Sequence, residues 1–372
     1  MTSPGTEQPT VAGWGAAPPP PARRRPVPGL LAAAIALVLV FGAIGLVATR
    51  AVGTSAGGRT PESAATGLFA ALDKRDLQRA GGYLQGEERQ LAAVYADRLT
   101  RLLAEGQTSV GPLAAFDVSA RDLRFRRAAG SGDGSVAVLE AVSGTVGVRG
   151  PNGTQVQLPV AEARRQLAKQ TNGAVDSLRV VTIRGSDRRW YVSLMASSAE
   201  WGRLAGQAGE ADYGLLTGGS LPGSGSPDQA VRDLLAAAAD GDAAKAADRL
   251  APEEARVADA YRQPLFGHMG LGKPGGLFGG NPKVRIRIDG LTTRNEQLAD
   301  GVVKVHLTGG TVRESGKPPV SITEATDNKA ALVAVRQGGA WYPSLLGTLA
   351  DAAVTPPRAR TPDGGPATPD RG

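Results

Sequence analysis

The chain has 372 residues, 41% hydrophobic and 21% charged, which is enough for two domains of ordinary size. It contains no cysteine, so disulfides, thiolate metal sites, cysteine nucleophiles and lipid-bearing cysteines are excluded. A net charge of +7, part of it in the tails, is too mild an excess to argue for nucleic acid, and no nucleic-acid partner is expected.

Residues 1–28 end in PPPPARRRPVP and lack apolar periodicity, which predicts a disordered Pro/Arg-rich tail. Residues 29–49, GLLAAAIALVLVFGAIGLVAT, are 21 positions without a charge. At about 1.5 Å rise per residue such a helix spans a hydrocarbon core of about 30 Å. The segment therefore predicts one transmembrane helix in contact with membrane lipid. The alternative is a signal peptide cleaved after TSA at Ala56, although the apolar region of a signal is usually only about 7 to 15 residues. Arg23, Arg24 and Arg25 precede the span, and Arg50 and Arg59 follow it. The positive-inside rule then favours a single-pass plasma-membrane protein with a cytoplasmic N-terminus and its folded mass outside.

Beyond the span the sequence repeats. PESAATGLFAALDKRDLQRAGGYLQGEERQLAAVY from Pro61 lies without a gap over PDQAVRDLLAAAADGDAAKAADRLAPEEARVADAY from Pro227, with 12 of 35 positions identical. The identities include Asp76 with Asp242, Glu87-Glu88 with Glu253-Glu254, and Tyr95 with Tyr261. Each copy opens with a helix-start signal, Thr60-Pro61-Glu62 or Ser226-Pro227-Asp228. Ala64, Leu68 and Leu72, with Ala230 and Leu234, then follow helical spacing. Asp76 and Asp242 cap a second short helix. The paired glutamates start a third, with Leu91, Tyr95 and Leu99 inward, and read as first-turn acids facing a helix dipole.

The period then changes from 3.6 to 2. LRFRR from Leu123 and VRIRI from Val284 alternate apolar residues with arginine, as half-buried strands do. Further strands are expected at 136–148, 154–160, 178–184 and 189–195, and at 301–308, 320–323, 330–336 and 340–345. Trp-Tyr-X-Ser-Leu closes each copy as its last strand, with Trp190 and Tyr191, and Trp341 and Tyr342, on opposite faces. The expected fold class is α+β, two tandem copies of a helix-then-antiparallel-sheet domain at 61–205 and 227–352, each with its own core. Residues 206–226 form a Gly/Ser linker and 355–372 a disordered Pro-rich tail.

The Ala/Leu-rich helices after TPE or SPD, the Asp-containing connection, the acidic pair and the Trp-Tyr strand together resemble the nuclear transport factor 2-like superfamily. They are most similar to the membrane-anchored extracytoplasmic versions found in actinobacteria. That resemblance implies a cone in which a curved sheet wraps around helices. Some members are enzymes, such as ketosteroid isomerase-like proteins, and many are binding or assembly modules. Tandem copies behind one transmembrane helix also look like conjugation and type IV secretion assembly proteins. Fold alone does not choose among these roles.

Residues able to do chemistry are sparse. His268 and His306 offer neither ligand spacing nor a triad. GLGKPG from Gly270 matches G-x-G-x-x-G but lacks the strand before and the helix after that a phosphate cradle needs. Asp117, Asp122 and Asp289 are the acids nearest the strands, and none is placed inside a cone. Tyr191 and Tyr342 are the hydroxyl donors an isomerase would need. No catalytic residue, metal or cofactor is therefore expected.

The leading expectation is a non-enzymatic membrane protein binding an envelope protein or an anionic wall polymer, with a conjugation or secretion complex as its most concrete setting. The alternatives are an apolar-ligand carrier or isomerase-like enzyme with a pocket in each cone, and a sensor coupled to the cytoplasmic tail. With Leu123, Phe125, Val284, Ile286 and Ile288 inward, the candidate partner-binding residues are Arg124, Arg126, Arg285 and Arg287, expected outward at matching positions of the two copies, where their guanidinium forks suit carboxylates and phosphates. Trp190, Tyr191, Trp341 and Tyr342 are the candidate pocket or rim aromatics.

Overall fold

A computed structural model of the chain describes residues 56–74, 76–104, 117–129, 134–149, 155–219, 221–262, 286–326 and 330–354. The expected tails, the apolar segment 29–49, Arg285, His268 and the GLGKPG stretch lie outside the described residues. Among the described residues no helix is long and apolar enough to cross a membrane.

Each copy starts as its caps dictate. Thr60 Oγ1 accepts the Ser63 N–H at 3.1 Å and Ser226 Oγ that of Gln229 at 3.2 Å, opening α1 (Pro61–Asp73) and its counterpart in the second copy, Pro227–Ala239. Asp76 and Asp242 cap the short helices α2 (Leu77–Gly81) and Ala243–Ala247 through Arg79 N and Lys245 N. The third helices are α3 (Gly86–Ala104) and Pro252–Ala260.

In chain order the first sheet holds β1 (Asp117–Arg127), β2 (Val136–Arg149), β3 (Gln155–Pro159), β4 (Arg179–Arg184) and β5 (Trp190–Ser193). The order is β1-β2-β4-β5, with β3 also on β2, and every pairing is antiparallel. The second sheet repeats this as β10-β9-β7-β6 with β8 on β7: β6 (Ile286–Ala299), β7 (Val302–Glu314), β8 (Val320–Ser321), β9 (Ala331–Gln337) and β10 (Ala340–Ser344). The molecule is thus α+β with two five-stranded antiparallel sheets, as two tandem copies require.

Among the described residues four helices lie where strand or loop was expected, two in each copy. α4 (Val160–Gln170) follows β3 directly, with Val160 and Leu167 buried on one stripe. The strand ending in Trp-Tyr-X-Ser stops at the serine, where α5 (Leu194–Ala205) begins. With the first-copy helices numbered α1 to α5, the second copy supplies α6 (Pro227–Ala239), α7 (Ala243–Ala247), α8 (Pro252–Ala260), α9 (Ile322–Ala325) and α10 (Leu345–Val354). Here α10 occupies the place that α5 has in the first copy.

The core does not stop at the boundary between the copies, contrary to the expectation of one core each. On one face of the first sheet, Ala137 and Leu139 join Ala64, Leu68 and Trp190. On the other, Val136, Val138, Val181 and Ile183 pack against Val257, Ala260 and Tyr261 of the second copy. The reverse holds as well: Leu91 and Tyr95 of α3 share a cluster with Val302, Val333, Val335 and Leu346. The third helix of each copy therefore packs beside the terminal helix of the other, α3 with α10 and α8 with α5. At Gly347 an added Cβ would lie 2.8 Å from Val333 Cγ1 and 3.1 Å from Leu91 Cδ2, so this crossing needs a residue without a side chain. Full burial of large side chains such as Leu91, Tyr95 and Tyr261 stabilises the crossing by roughly 1.5–3 kcal/mol each.

Residues 206–226 are not a free tether. A 3-10 turn at Tyr213–Thr217 buries Leu216, and Asp212 N–H donates to Ala260 O at 2.9 Å, so the segment lies on the second copy's third helix.

Candidate functional site

The repeated glutamates converge where the copies meet. Within the first copy, Glu88 Oε2 accepts the Leu194 N–H at 2.8 Å, while its Oε1 accepts from Met195 N at 2.8 Å and Ser193 Oγ at 3.1 Å. Glu254 repeats this with Leu345 N and Leu346 N, both at 2.8 Å, and Ser344 Oγ at 2.7 Å. Each serine in turn accepts an N–H of its own helix, from Ala196 at 3.1 Å and from Gly347 at 2.8 Å. Helices α5 and α10 begin in the interior, where their first amides have no water. A carboxylate and a hydroxyl satisfy those amides, which is why the Glu-Glu pair and the Trp-Tyr-X-Ser-Leu segment recur together.

The first glutamate of each pair reaches across. Glu253 Oε2 accepts the Glu87 N–H at 3.1 Å, and Gln337 Nε2 donates to Glu87 Oε2 at 3.3 Å. Glu87 Oε1 is buried with no hydrogen-bond partner. Burial pushes Glu88 up to about 8 against the pull of its N–H donors, and Glu253 up to about 7. Burial, then the nearby Glu254 and Glu253, raise Glu87 well above the usual carboxylate range, and burial raises Glu254. The acids were expected to face the dipoles of their own exposed first turns. Instead Glu87, Glu88 and Glu254 are buried, and Glu88, Glu254 and Glu253 accept amides at the starts of helices elsewhere in the fold.

A second buried carboxylate is Glu200 on α5. Arg203 clamps it with Nη2 at 2.6 Å and Nε at 2.9 Å, and Arg179 Nη1 lies at 2.9 Å. Tyr213 Oη donates at 2.9 Å and Tyr261 Oη, from the second copy, at 3.4 Å. Burial alone would raise its pKa, but Arg203, Arg179 and Tyr213 outweigh it and hold the group below the usual range.

The candidate arginines among the described residues lie outward, as the alternation requires, but not at matching positions of the two sheets. Arg124, Arg126 and Arg287 are exposed. Arg126 pairs with Glu140 at 3.2 Å, and Arg287 shares Asp289 with Arg313 at 2.7 and 2.9 Å. Their supposed equivalence fails on register. The β1 bulge lies between Arg121 and Arg124, opposite Gly144 at φ 111°, and the β6 bulge between Asp289 and Thr292, opposite Gly310 at φ 126°. Matching bulge to bulge puts Arg124 over Thr292 and Arg126 over Arg294, while Arg287 falls over Ser119. The two alternating runs thus belong to opposite ends of their strands, and Ile286, expected inward, is 39% exposed.

Trp190, Tyr191 and Tyr342 are buried, and Trp341 is half-buried. Neighbouring rings take opposite faces but neither faces away into solvent. Trp190 joins the helix-side core, Tyr191 Oη donates to Asp187 Oδ2 at 2.5 Å, and Tyr342 Oη donates to Leu221 O at 2.9 Å. A cavity of about 50 Å³ in the first copy is walled by other rings, Phe69, Phe125 and Trp201, with Leu68, Leu123 and Val192. No carboxyl lines it, and its one arginine, Arg179, is turned to Glu200 and Glu140. Asp122 is exposed at φ 52°, Asp289 is ion-paired outside, and His306 Nε2 sits 2.7 Å from Glu296.

No family model, curated protein or solved structure matches this chain. The reading of its function rests on its own residues.

Proposed function

We propose that this chain is a non-enzymatic, single-pass membrane protein that presents its two copies outside the cytoplasm as one docking body for an envelope partner or an anionic wall polymer. The anchor is argued from the uncharged segment 29–49, and the cone-like domain from its resemblance to the nuclear transport factor 2-like superfamily. The observation that carries the reading is where the polar groups go. The repeated acids and serines are engaged in holding helix ends, and the first copy's cavity has apolar walls without a carboxyl. A cone built for proton transfer needs an acid and a hydroxyl aimed at one point inside it.

Arg121, Arg124, Arg126 and Arg127 are exposed along the edge strand β1, with Arg121, Arg126 and Arg127 beside Asp73, Glu140 and Glu62. Replacing Arg124, Arg126, Arg285 and Arg287 together with Gln should weaken retention of the full chain on anionic envelope polymer several-fold at low salt. The melting temperature should be nearly unchanged, because exposed pairs contribute about 0–1 kcal/mol. Equal retention of variant and wild type across a salt series would remove these strands from the proposal.

The cavity favours, as a second reading, carriage of a small apolar molecule rather than isomerase chemistry. Trp201 lines it, so titrating short-chain apolar ligands should change tryptophan emission saturably, and a linear, non-saturating response would dismiss carriage.

A further inference from the structure

The carboxyls at the joint between the copies outnumber anything that neutralises them. Glu87, Glu88, Glu253 and Glu254 make no ion pair among the described residues, and Glu87, Glu88 and Glu254 are almost fully buried. The groups facing them can be followed element by element. α3 brings Arg89 and Gln90. Arg89 lies over the Tyr191 ring at 5.8 Å, and Gln90 Nε2 donates to Gly301 O at 3.4 Å. α8 brings Arg256, which donates to Gly219 O at 3.2 Å. β9 brings Gln337, and the starts of α5 and α10 bring amides and the two serines. Lys304 of β7 pairs with Asp351 of α10 at 2.6 Å. Arg89 and Arg256 bear on Glu253, while Glu87 meets Glu254 and Glu253 as like charges. Among the described residues no donor lies within hydrogen-bond distance of its Oε1, and the Ser344 hydroxyl, which favours its charged form, already donates to Glu254.

An ionised carboxylate there has an acceptor oxygen with nothing to accept, a cost of several kcal/mol in a buried site. A protonated one has a hydroxyl that can donate to its neighbour Glu254. We propose that the joint between the two copies is a proton-dependent latch: it closes with a proton held on the Glu87–Glu253–Glu254 group and loosens when that proton leaves. Groups whose pKa is raised on folding add stability that is fully present below their ordinary value of about 4.5 and is lost as pH rises through the folded value. The window for Glu253 and Glu88 therefore ends near pH 7 to 8. The copies should be firmly joined in mild acid and loosely joined in mild alkali.

The test is amide hydrogen exchange on the full chain in detergent at pH 5.5 and pH 8.5, corrected for intrinsic exchange. Segments 87–95 and 253–261 are followed against α4 as the internal reference, since Val160 and Leu167 pack only with first-copy residues. Protection at the two helices should fall at pH 8.5 by about tenfold or more relative to α4, since one unit of differential pKa is a factor of ten. Glu87→Gln, which mimics the protonated side chain, should keep that protection at pH 8.5 and match wild type at pH 5.5. A purely structural role for Glu87 would instead give the same difference at both pH values. Wild-type protection that does not change with pH, or a Glu87→Gln effect that is equal at both, overturns the latch. If Glu87→Gln does not fold, Glu253→Gln carries the same comparison, because its amide oxygen still accepts from Glu87 N–H.

Discussion

Two buried acidic regions hold this molecule together, and they do so in opposite ways. Glu200 is wholly buried, yet every one of its oxygens is met: a guanidinium fork, a second arginine and two tyrosines. The four-glutamate joint has more carboxyls and no ion-paired cation. The first region contributes stability as a charge, present above the ordinary carboxylate pKa and lost as pH falls through its depressed folded value. The second contributes it by holding protons, and loses it as pH rises. The same residue type in the same protein thus sets an acid limit in one place and an alkaline limit in another. What decides between them is the supply of fixed charged donors, since Glu200 and three of the four joint acids are buried alike by surface area.

The largest effect should come from breaking the well-supplied site. Glu200→Ala leaves Arg203 buried without its counter-charge and takes from Arg179 one of its two carboxylates, a loss of about 3–5 kcal/mol. Denaturant unfolding of the full chain should show it at pH 7 as a lower midpoint. A change under about 1 kcal/mol would mean that the arginines find water, and that Tyr213 and Tyr261 do not depend on Glu200 for their places.

Much of this arrangement was legible in the chain. Thr60, Ser226, Asp76 and Asp242 cap the helices their side chains announce, because capping is a local matter of one side chain and the next few amides. The strands fell close to expectation for the same reason, since alternation is local. Two things were not local. Helices α5 and α10 begin inside a segment that reads as strand through Trp-Tyr-X-Ser, and the amides that betray them are satisfied by a glutamate 106 and 107, or 91 and 92, residues away. The one available signal was that an acidic pair and a serine recur together. The crossing of α3 and α8 onto the opposite copy leaves no trace in periodicity, because Leu91 and Tyr95 show the same apolar stripe whichever sheet they cover. Register was misread for a third reason: Gly144 and Gly310 carry the bulges, and an ungapped match of arginines passes over them.

A smaller perturbation sharpens the comparison within the joint itself. Ser344 donates to Glu254 and accepts from Gly347 N–H, and Ser193 does the same for Glu88 and Ala196. Both hydroxyls are buried, so Ser344→Ala or Ser193→Ala removes a cap and one of the three donors to the carboxylate, at about 1–2 kcal/mol. The pH dependence separates this from simple cap loss. A hydroxyl that donates to an ionised carboxylate stabilises the charged form, and without it Glu254 or Glu88 should hold its proton more tightly. The cost of either substitution should therefore be larger at pH 8.5 than at pH 5.5, whereas a cap acting only on its backbone amide would lose the same amount at both. Thermal midpoints of the two variants across that range distinguish these outcomes, and a cost that is flat with pH would assign the serines to the helix ends alone and leave the carboxyls to the backbone amides.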